Sequence, residues 1–430
     1  MKEFDAIIGY EGIKEELRQT ADILRNLDVY KDAGARTPSG MLIHGDPGLG
    51  KSLMAECLIA AAGVPTFIVR KDKSDGDFVD FIKHTFEEAA ASAPSIVYLD
   101  DMDKFANADA DHRNADEYVA VQSAIDSVRG KDVFVLATTN ELHCLPNSLT
   151  RSGRFDRRVN VLRPNGKEAE DIIRHYLSGK QLGDDVEWDD VAMLMDGRTC
   201  ADLESTLNEA LLISISRRED VVSRSSFMDA FLKTRVQRPF IPDGDFFERN
   251  EEERMRTAIH EAGHAVVFEV LADKSVSLIS AFSKTDNRGG VTSFRKPADC
   301  SPDRWSELEI LGSLGGIAAT DLVYGEVDAG ATNDLDRVTD RIARRCDKGM
   351  AFAMPHMGIP HYQESNEGKW RLETLVHAEL TSELQKTKQV LAANREFFDK
   401  ITEAIVENDY LISSDIQAIK RTCEIVSVAI

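Results

Sequence analysis

The chain has 430 residues, 42% hydrophobic and 30% charged, a soluble globular composition too long for one core and suited to two or three domains. Its 75 acidic residues against 52 basic ones leave a formal charge of -23, which disfavours nucleic acid or an anionic membrane as the main partner. Six dispersed cysteines without a CxxC pair argue against a disulfide framework or a cysteine zinc site and fit a reducing cytoplasm.

The N-terminal stretch MKEFDAIIGYEGIKEEL is charged from its second residue and has no apolar signal core. Uncharged apolar runs such as CLIAAAGVP and LGSLGGIAAT reach about ten residues, half of a bilayer span. The expectation is a cytoplasmic chain with no membrane anchor. The first third alternates short apolar runs (GMLIHG, TFIVR, SIVYLDD, DVFVLATTN) with longer amphipathic segments, the pattern of a parallel sheet covered by helices.

Between the first of these strands and the helical LMAECLIAAAG lies GDPGLGKS, residues 45 to 52. Strand, glycine-rich loop, Lys-Ser and helix form the context of a P-loop. Gly45, Gly48 and Gly50 let backbone N–H groups close around the phosphates, with Asp46, Pro47 and Leu49 completing the ATP-binding loop; Lys51 meets the β and γ phosphates, and Ser52 ligates magnesium. SIVYLDDMD has the layout of a Walker B strand, with Asp100 assigned to magnesium and Asp101 to the attacking water. FVLATTN places Asn140 at a strand tip from which it can sense a γ-phosphate. TRSGRFDRR then offers Arg151 and Arg154 for transition-state charge in trans.

From RPNGKEAEDIIRHYL to about residue 235 the pattern is helical, with CADLESTLNEALLISISRR spaced at i, i+3, i+4. RVQRPFIPDGDFFERNEEER, with two prolines, a glycine and a charge run, is the linker candidate. The chain beyond it reads as mainly helical, with one hairpin around SLISAFSKTDNRGGVTSF. The expected divisions are an α/β P-loop ATPase domain over 1–162, a small α-helical lid over 163–240 and a mainly α-helical zincin-type metallopeptidase domain over 250–430.

RTAIHEAGHAVVFEV sets three polar groups in a run otherwise suited to a core helix. His260 and His264, four apart, project from one helix face and can share a tetrahedral metal. Glu261 is placed to act as general base for a water that zinc makes acidic. Ala258, Ile259, Ala262, Ala265, Val266 and Val267 bury the helix and dry the site. A catalytic zinc needs a third protein ligand. Val270 excludes the extended three-histidine motif, while Glu307, Glu309, Glu326, His356 and His361 all remain available.

The order of P-loop, Walker B, Asn sensor, RSGRFDRR and CADLESTLNEALL resembles the AAA+ ATPases, and specifically the FtsH family of ATP-dependent zinc proteases, from about residue 4 to about residue 360. The resemblance implies Zn2+, ATP and Mg2+ as cofactors, polypeptide substrates and a homo-hexameric ring in which Arg151 and Arg154 reach a neighbouring subunit. It also implies that GATND completes the metal site through Asp334, and that the hairpin supplies an edge strand beside the zinc able to hold an extended substrate.

Three departures accompany the resemblance. The family normally begins with membrane-spanning segments that this sequence does not show, which implies a soluble relative or one that lacks a native anchor. Asp101 stands where the family has Glu, one C–C bond of about 1.5 Å shorter, which implies slow ATP turnover. Ser74, Asp75 and Gly76 align with an aromatic-apolar-Gly substrate grip, which implies weak unfolding of stable proteins. Phe78 or Phe81 would have to replace that grip, although both read better as buried residues of the next helix.

The sequence thus points to an ATP-dependent zinc metalloprotease. Two rivals stand beside it: an ATP-independent peptidase on a weak ATPase ring, and a nucleotide-switched remodeller whose peptidase domain is structural. Against the latter, a retired site has no reason to keep a buried Glu261 without a partner.

Overall fold

In the computed structural model, residues 2–71, 75–106, 115–149, 153–177, 181–236, 251–281, 290–297, 300–326, 331–347 and 366–428 are described. The chain forms two compact units: residues 1–181 with 195–208, and residues 182–194 with 209–430.

The first unit opens with α1 (Glu11–Arg25) and α2 (Leu27–Asp32), then alternates strand and helix: β1 (Gly40–His44), α3 (Lys51–Ala62), β2 (Thr66–Val69), α4 (Asp75–Ala91), β3 (Ser95–Leu99), α5 (Ala115–Ser127), β4 (Val133–Thr139) and β5 (Arg157–Asn160), with α6 (Gly166–Tyr176) after them. The sheet is parallel throughout, in the order β2-β3-β4-β1-β5. Strand composition follows position: β3 and β4, with neighbours on both sides, are buried along their whole length, whereas the edge strands β2 and β5 keep exposed residues. The four strands expected from sequence are all present.

Strand β5, RRVN, is not among the strands expected from sequence. Two arginines in four residues hide it, and it forms because Met41 to His44 of β1 pair with Arg157 to Asn160. Arg157 packs half-buried against α1, donating to Thr20 Oγ1 at 2.8 Å and Gln19 Oε1 at 3.0 Å, while Arg158 is exposed. Phe78 is fully buried and packs against Phe105 and Phe81, with ring centroids 5.3 Å and 6.2 Å away. The buried reading therefore holds for Phe78, whereas Phe81 is only half-buried beside it. Ser74 lies outside the described residues, and Asp75 and Gly76 begin α4.

The second unit contains α7 (Trp188–Met195), most of it within residues 182–194, the end of α8 (Cys200–Ser216) and α9 (Arg224–Phe231), followed by α10 (Glu251–Leu271), β6 (Val276–Ser280), β7 (Val291–Phe294), α11 (Pro302–Ser313), α12 (Gly315–Tyr324), α13 (Thr332–Asp347), α14 (Asn366–Ala393), α15 (Arg395–Asn408), β8 (Tyr410–Ile412) and α16 (Ser413–Lys420). Strand β6 is the middle of an antiparallel sheet ordered β7-β6-β8, so β7 is an edge, as the hairpin reading required. The third strand, β8, was not expected: at three residues it carries no period of its own and exists through its pairing with Leu278 to Ser280.

Helix α10 is the axis of this unit. Ala258, Ile259, Ala262, Ala265, Val266 and Val267 are all buried in one cluster with Leu308, Leu311, Ala318 and Ile401. Its crossing with α12 occurs where both helices carry glycine: a Cβ added to Gly263 would sit 2.3 Å from the Gly315 carbonyl oxygen and 2.5 Å from Ala319 Cβ. Backbone meets backbone there, and no rotamer can relieve an added methyl. Gly263→Ala is therefore expected to destabilise the protein by about 1–3 kcal/mol; urea unfolding measures this, and an unchanged midpoint would contradict the close crossing.

Candidate active sites

The first site lies at the carboxyl ends of the parallel strands, where open α/β sheets place ligands. Gly45, Gly48 and Gly50 have φ of 149°, 78° and 81°, which side chains resist, and the loop they form delivers Lys51 to the first turn of α3. The Lys51 ammonium donates to the loop's own carbonyls, Gly45 at 2.8 Å and Asp46 at 2.7 Å. Burial lowers its pKa, partly offset by Asp101, Asp103 and Asp46.

Asp100, buried at the end of β3, accepts hydrogen bonds from the Tyr98 hydroxyl at 2.7 Å, the Thr138 hydroxyl at 3.1 Å and Arg70 Nε at 2.8 Å. Burial opposes its ionisation, yet these donors outweigh burial and hold the carboxyl below the usual range. Asp101 stands in the left-handed region, φ 52°, with its N–H on Thr138 Oγ1 at 3.0 Å. Its carboxylate pairs with Lys104 at 2.7 Å and takes a longer contact of 3.4 Å from Asn140 Nδ2. Asp103 anchors the end of β4, accepting from Thr139 Oγ1 at 2.9 Å and Asn140 N at 3.0 Å. Lys51, Asp100, Asp101 and Asn140 thus share one strand-end region. Ser52 lies beside the buried Tyr98, whose hydroxyl donates to Asp100.

Arg154 is held within its own unit, donating to both oxygens of Asp126 at 3.0 Å and 2.7 Å and to the Ser148 carbonyl. Arg151 lies outside the described residues.

The second site is built on α10. His260 Nε2 and His264 Nε2 are 3.0 Å apart, and Asp334 Oδ2 lies 3.2 Å from the first and 3.4 Å from the second. Three corners of a tetrahedron with ligand distances of about 2.0–2.1 Å are about 3.3 Å apart, so the three donor atoms outline a face suited to zinc. Among the described residues this trio and the more exposed set Glu141, His143 and Cys144 are the groups close enough to hold an ion.

The supports of the trio are specific. The His264 Nδ1–H donates to the Gly312 carbonyl at 2.8 Å. Gly316 N also lies 3.3 Å from that nitrogen, but a carbonyl can only accept, so the shorter contact sets the tautomer and leaves Nε2 with its lone pair. The His260 ring lies against Gly316, where an added Cβ would come within 2.4 Å of it. Asp334 sits in the first turn of α13; burial would raise its pKa, but both imidazoles reverse that and hold it far below the usual carboxylate range. Burial would lower the pKa of His264, and the Asp334 contact with the nearby Glu261 charge raises it instead.

Glu261 is buried, but contrary to the expectation it has a partner, which removes the argument that its lack of one told against a structural peptidase domain. The Thr292 hydroxyl on edge strand β7 donates to its Oε2 at 2.6 Å. Gly290 gives that carboxylate room, since a Cβ there would lie 2.3 Å from Glu261 Cγ. Thr292, Gly290, Gly312 and Gly316 escaped the sequence reading. The available signal was the run of small residues in LGSLGGIAAT and the GGVT at the head of the hairpin's second strand. The rival ligands are engaged elsewhere: Glu307 with Arg304 at 3.0 Å, Glu326 with Arg256 at 2.8 Å and Glu309 with Arg341. His356 and His361 lie outside the described residues.

A P-loop α/β unit and a helix-borne two-histidine, one-carboxylate centre in one chain define an ATPase joined to a metallopeptidase. Residues 41–163 match the ATPase family associated with various cellular activities (AAA), and residues 248–419 match Peptidase family M41, which carries the likeness well beyond residue 360. The ATP-dependent zinc metalloprotease FtsH of Ruminiclostridium cellulolyticum is 30% identical over 461 residues, covering 97% of this chain and 71% of that protein. FtsH 3 of Synechocystis sp. is 29% identical with 97% and 72% covered, and FtsH of Pirellula staleyi 31% identical with 84% and 53% covered. The chain belongs to the FtsH family of ATP-dependent zinc metalloproteases. Membership implies zinc in the peptidase and ATP with magnesium in the ATPase, and the donor atoms described above fit both. Among the described residues no helix is long and apolar enough to cross a membrane.

Thr292→Val removes the donor to Glu261 while keeping the shape of the strand. Peptide hydrolysis is expected to fall about tenfold, the worth of a hydrogen bond to a charged group, with zinc content unchanged. Full activity in the folded variant would show that Thr292 does not orient Glu261.

Proposed function

We propose that this chain hydrolyses polypeptides at a zinc held by His260, His264 and Asp334, with Glu261 as general base, and that ATP bound at residues 45–52 governs access or delivery of the substrate. The observation that carries this reading is the convergence of three ligand atoms within 3.4 Å of one another beside a buried carboxylate on the same helix. Zinc, when bound, supplies the Lewis acidity that brings water ionisation near neutral pH and polarises a peptide carbonyl. Glu261, aimed by Thr292, takes the proton from the attacking water and returns it to the leaving amine. The unpaired side of β7 aligns an extended substrate by main-chain hydrogen bonds, which suits cleavage without strict sequence preference.

In the ATPase, Lys51 transfers from the loop carbonyls to the β and γ phosphates, Ser52 and Asp100 hold magnesium, Asp101 orients water and Asn140 senses the γ-phosphate. The working divisions are 1–162, 163–240 and 250–430, assembled as a homo-hexameric ring in the cytoplasm. Arg151 and Arg154 serve a neighbouring subunit, which for Arg154 requires release from Asp126.

A second reading, an ATP-independent peptidase on a weak ATPase ring, draws support from Asp101, whose short side chain is tied to Lys104.

Glu261→Gln is expected to cut hydrolysis of casein by about 10²–10⁴-fold while retaining zinc. Asp334→Ala is expected to lose zinc, measured by metal analysis, together with activity; retention of a full zinc equivalent would refute its role as ligand. Lys51→Ala separates the two readings: cleavage is lost if ATP drives delivery and persists if the ring is vestigial.

A further inference from the structure

Arg70 follows directly on β2 and reaches the carboxyl end of the sheet, where no sequence motif gives it a part. Its guanidinium donates to Oδ2 of Asp100 from Nε at 2.8 Å and again from Nη2. Oδ1 of the same carboxylate takes the hydroxyls of Tyr98 and Thr138. Both oxygens are thus occupied by donors of this chain, and among the described residues Arg70 is the one basic side chain paired with Asp100. The neighbouring cations are committed elsewhere, Lys51 to loop carbonyls and Lys104 to Asp101.

The two partners differ in freedom. The Asp100 side chain is 6% exposed and anchored by two hydroxyls, whereas that of Arg70 is 65% exposed. A guanidinium and a hard dication seek the same oxygen lone pairs, and they cannot share one oxygen without opposing each other. Of the pair, only the arginine can leave.

We propose that Arg70 is a built-in counter-ion of Asp100 that competes with Mg2+ for Oδ2, so that loading of the magnesium nucleotide requires Arg70 to swing away. The inference rests on the reading of Asp100 as a magnesium ligand. The pair sets the Mg2+ concentration at which the site fills, and it keeps the carboxylate neutralised while the site awaits nucleotide.

The test follows binding rather than turnover: the full chain is titrated with MgCl2 at a fixed concentration of a fluorescent ATP analogue. With its arginine largely exposed the pair is worth little, so Arg70→Ala is expected to lower the half-saturating Mg2+ by about two- to fivefold. Arg70→Lys falls between the two, and binding in EDTA stays as in the unmodified protein. An unchanged Mg2+ requirement in Arg70→Ala overturns the inference, and so does a raised one, which would assign Arg70 to the phosphates. Asp100→Asn distinguishes the two levels of the argument. If it leaves the Mg2+ response intact, the magnesium role of Asp100 itself falls, and the inference with it. If it abolishes the response while Arg70→Ala does not shift it, the counter-ion inference alone is lost.

Discussion

Helices packed through side chains stand about 8–10 Å apart, too far for one backbone to serve the other's side chains closely. At the crossing of α10 and α12, Gly263 and Gly315 remove that spacing, and the peptidase site depends on the result. With the backbones in contact, the His264 ring reaches the Gly312 carbonyl and the His260 ring settles against Gly316. Both imidazoles are thereby oriented before any metal arrives, and their Nε2 atoms meet 3.0 Å apart. A bulkier residue at Gly316 would press on the His260 ring, and one at Gly263 or Gly315 would part the two helices.

The surrounding apolar cluster then determines the electrostatics. His264 and Asp334 carry charge or potential charge where burial alone would suppress it, and each is sustained by a named neighbour: Asp334 by two imidazoles and His264 by the carboxylates. The Glu261 carboxylate is held in place by the Thr292 hydroxyl. The ATPase site follows the same logic with different groups. Lys51 is satisfied by loop carbonyls, Asp100 by Tyr98, Thr138 and Arg70, and Asp103 by the end of β4. Each of these ionisable groups has a partner within the protein.

Much of this was legible because the chemistry depends on spacing along a single element. GDPGLGKS between strand and helix, aspartates ending an apolar strand and two histidines four apart each specify a local geometry that tertiary packing leaves intact. The failures share a cause as well. Strand β5, with two arginines in four residues, and the three-residue β8 have no period to read and exist by pairing with β1 and β6. Thr292 and Arg70 look like ordinary strand and strand-end residues until the partner carboxylate is seen beside them.

By itself, then, the sequence determined the element types, the P-loop and the histidine pair, since a strand, a helix turn and a glycine loop are set by neighbours within a few residues. Asp334 was named there only through resemblance, because 70 residues separate it from His264 and nothing local ties an acid in a helix's first turn to a distant imidazole. Tertiary structure alone decided which carboxylate joins the histidines, which hydroxyl steadies Glu261 and which arginine guards Asp100. Those choices rest on distances across helix crossings and strand ends, where a shift of an ångström or two makes or breaks a contact and no pattern along the chain records it.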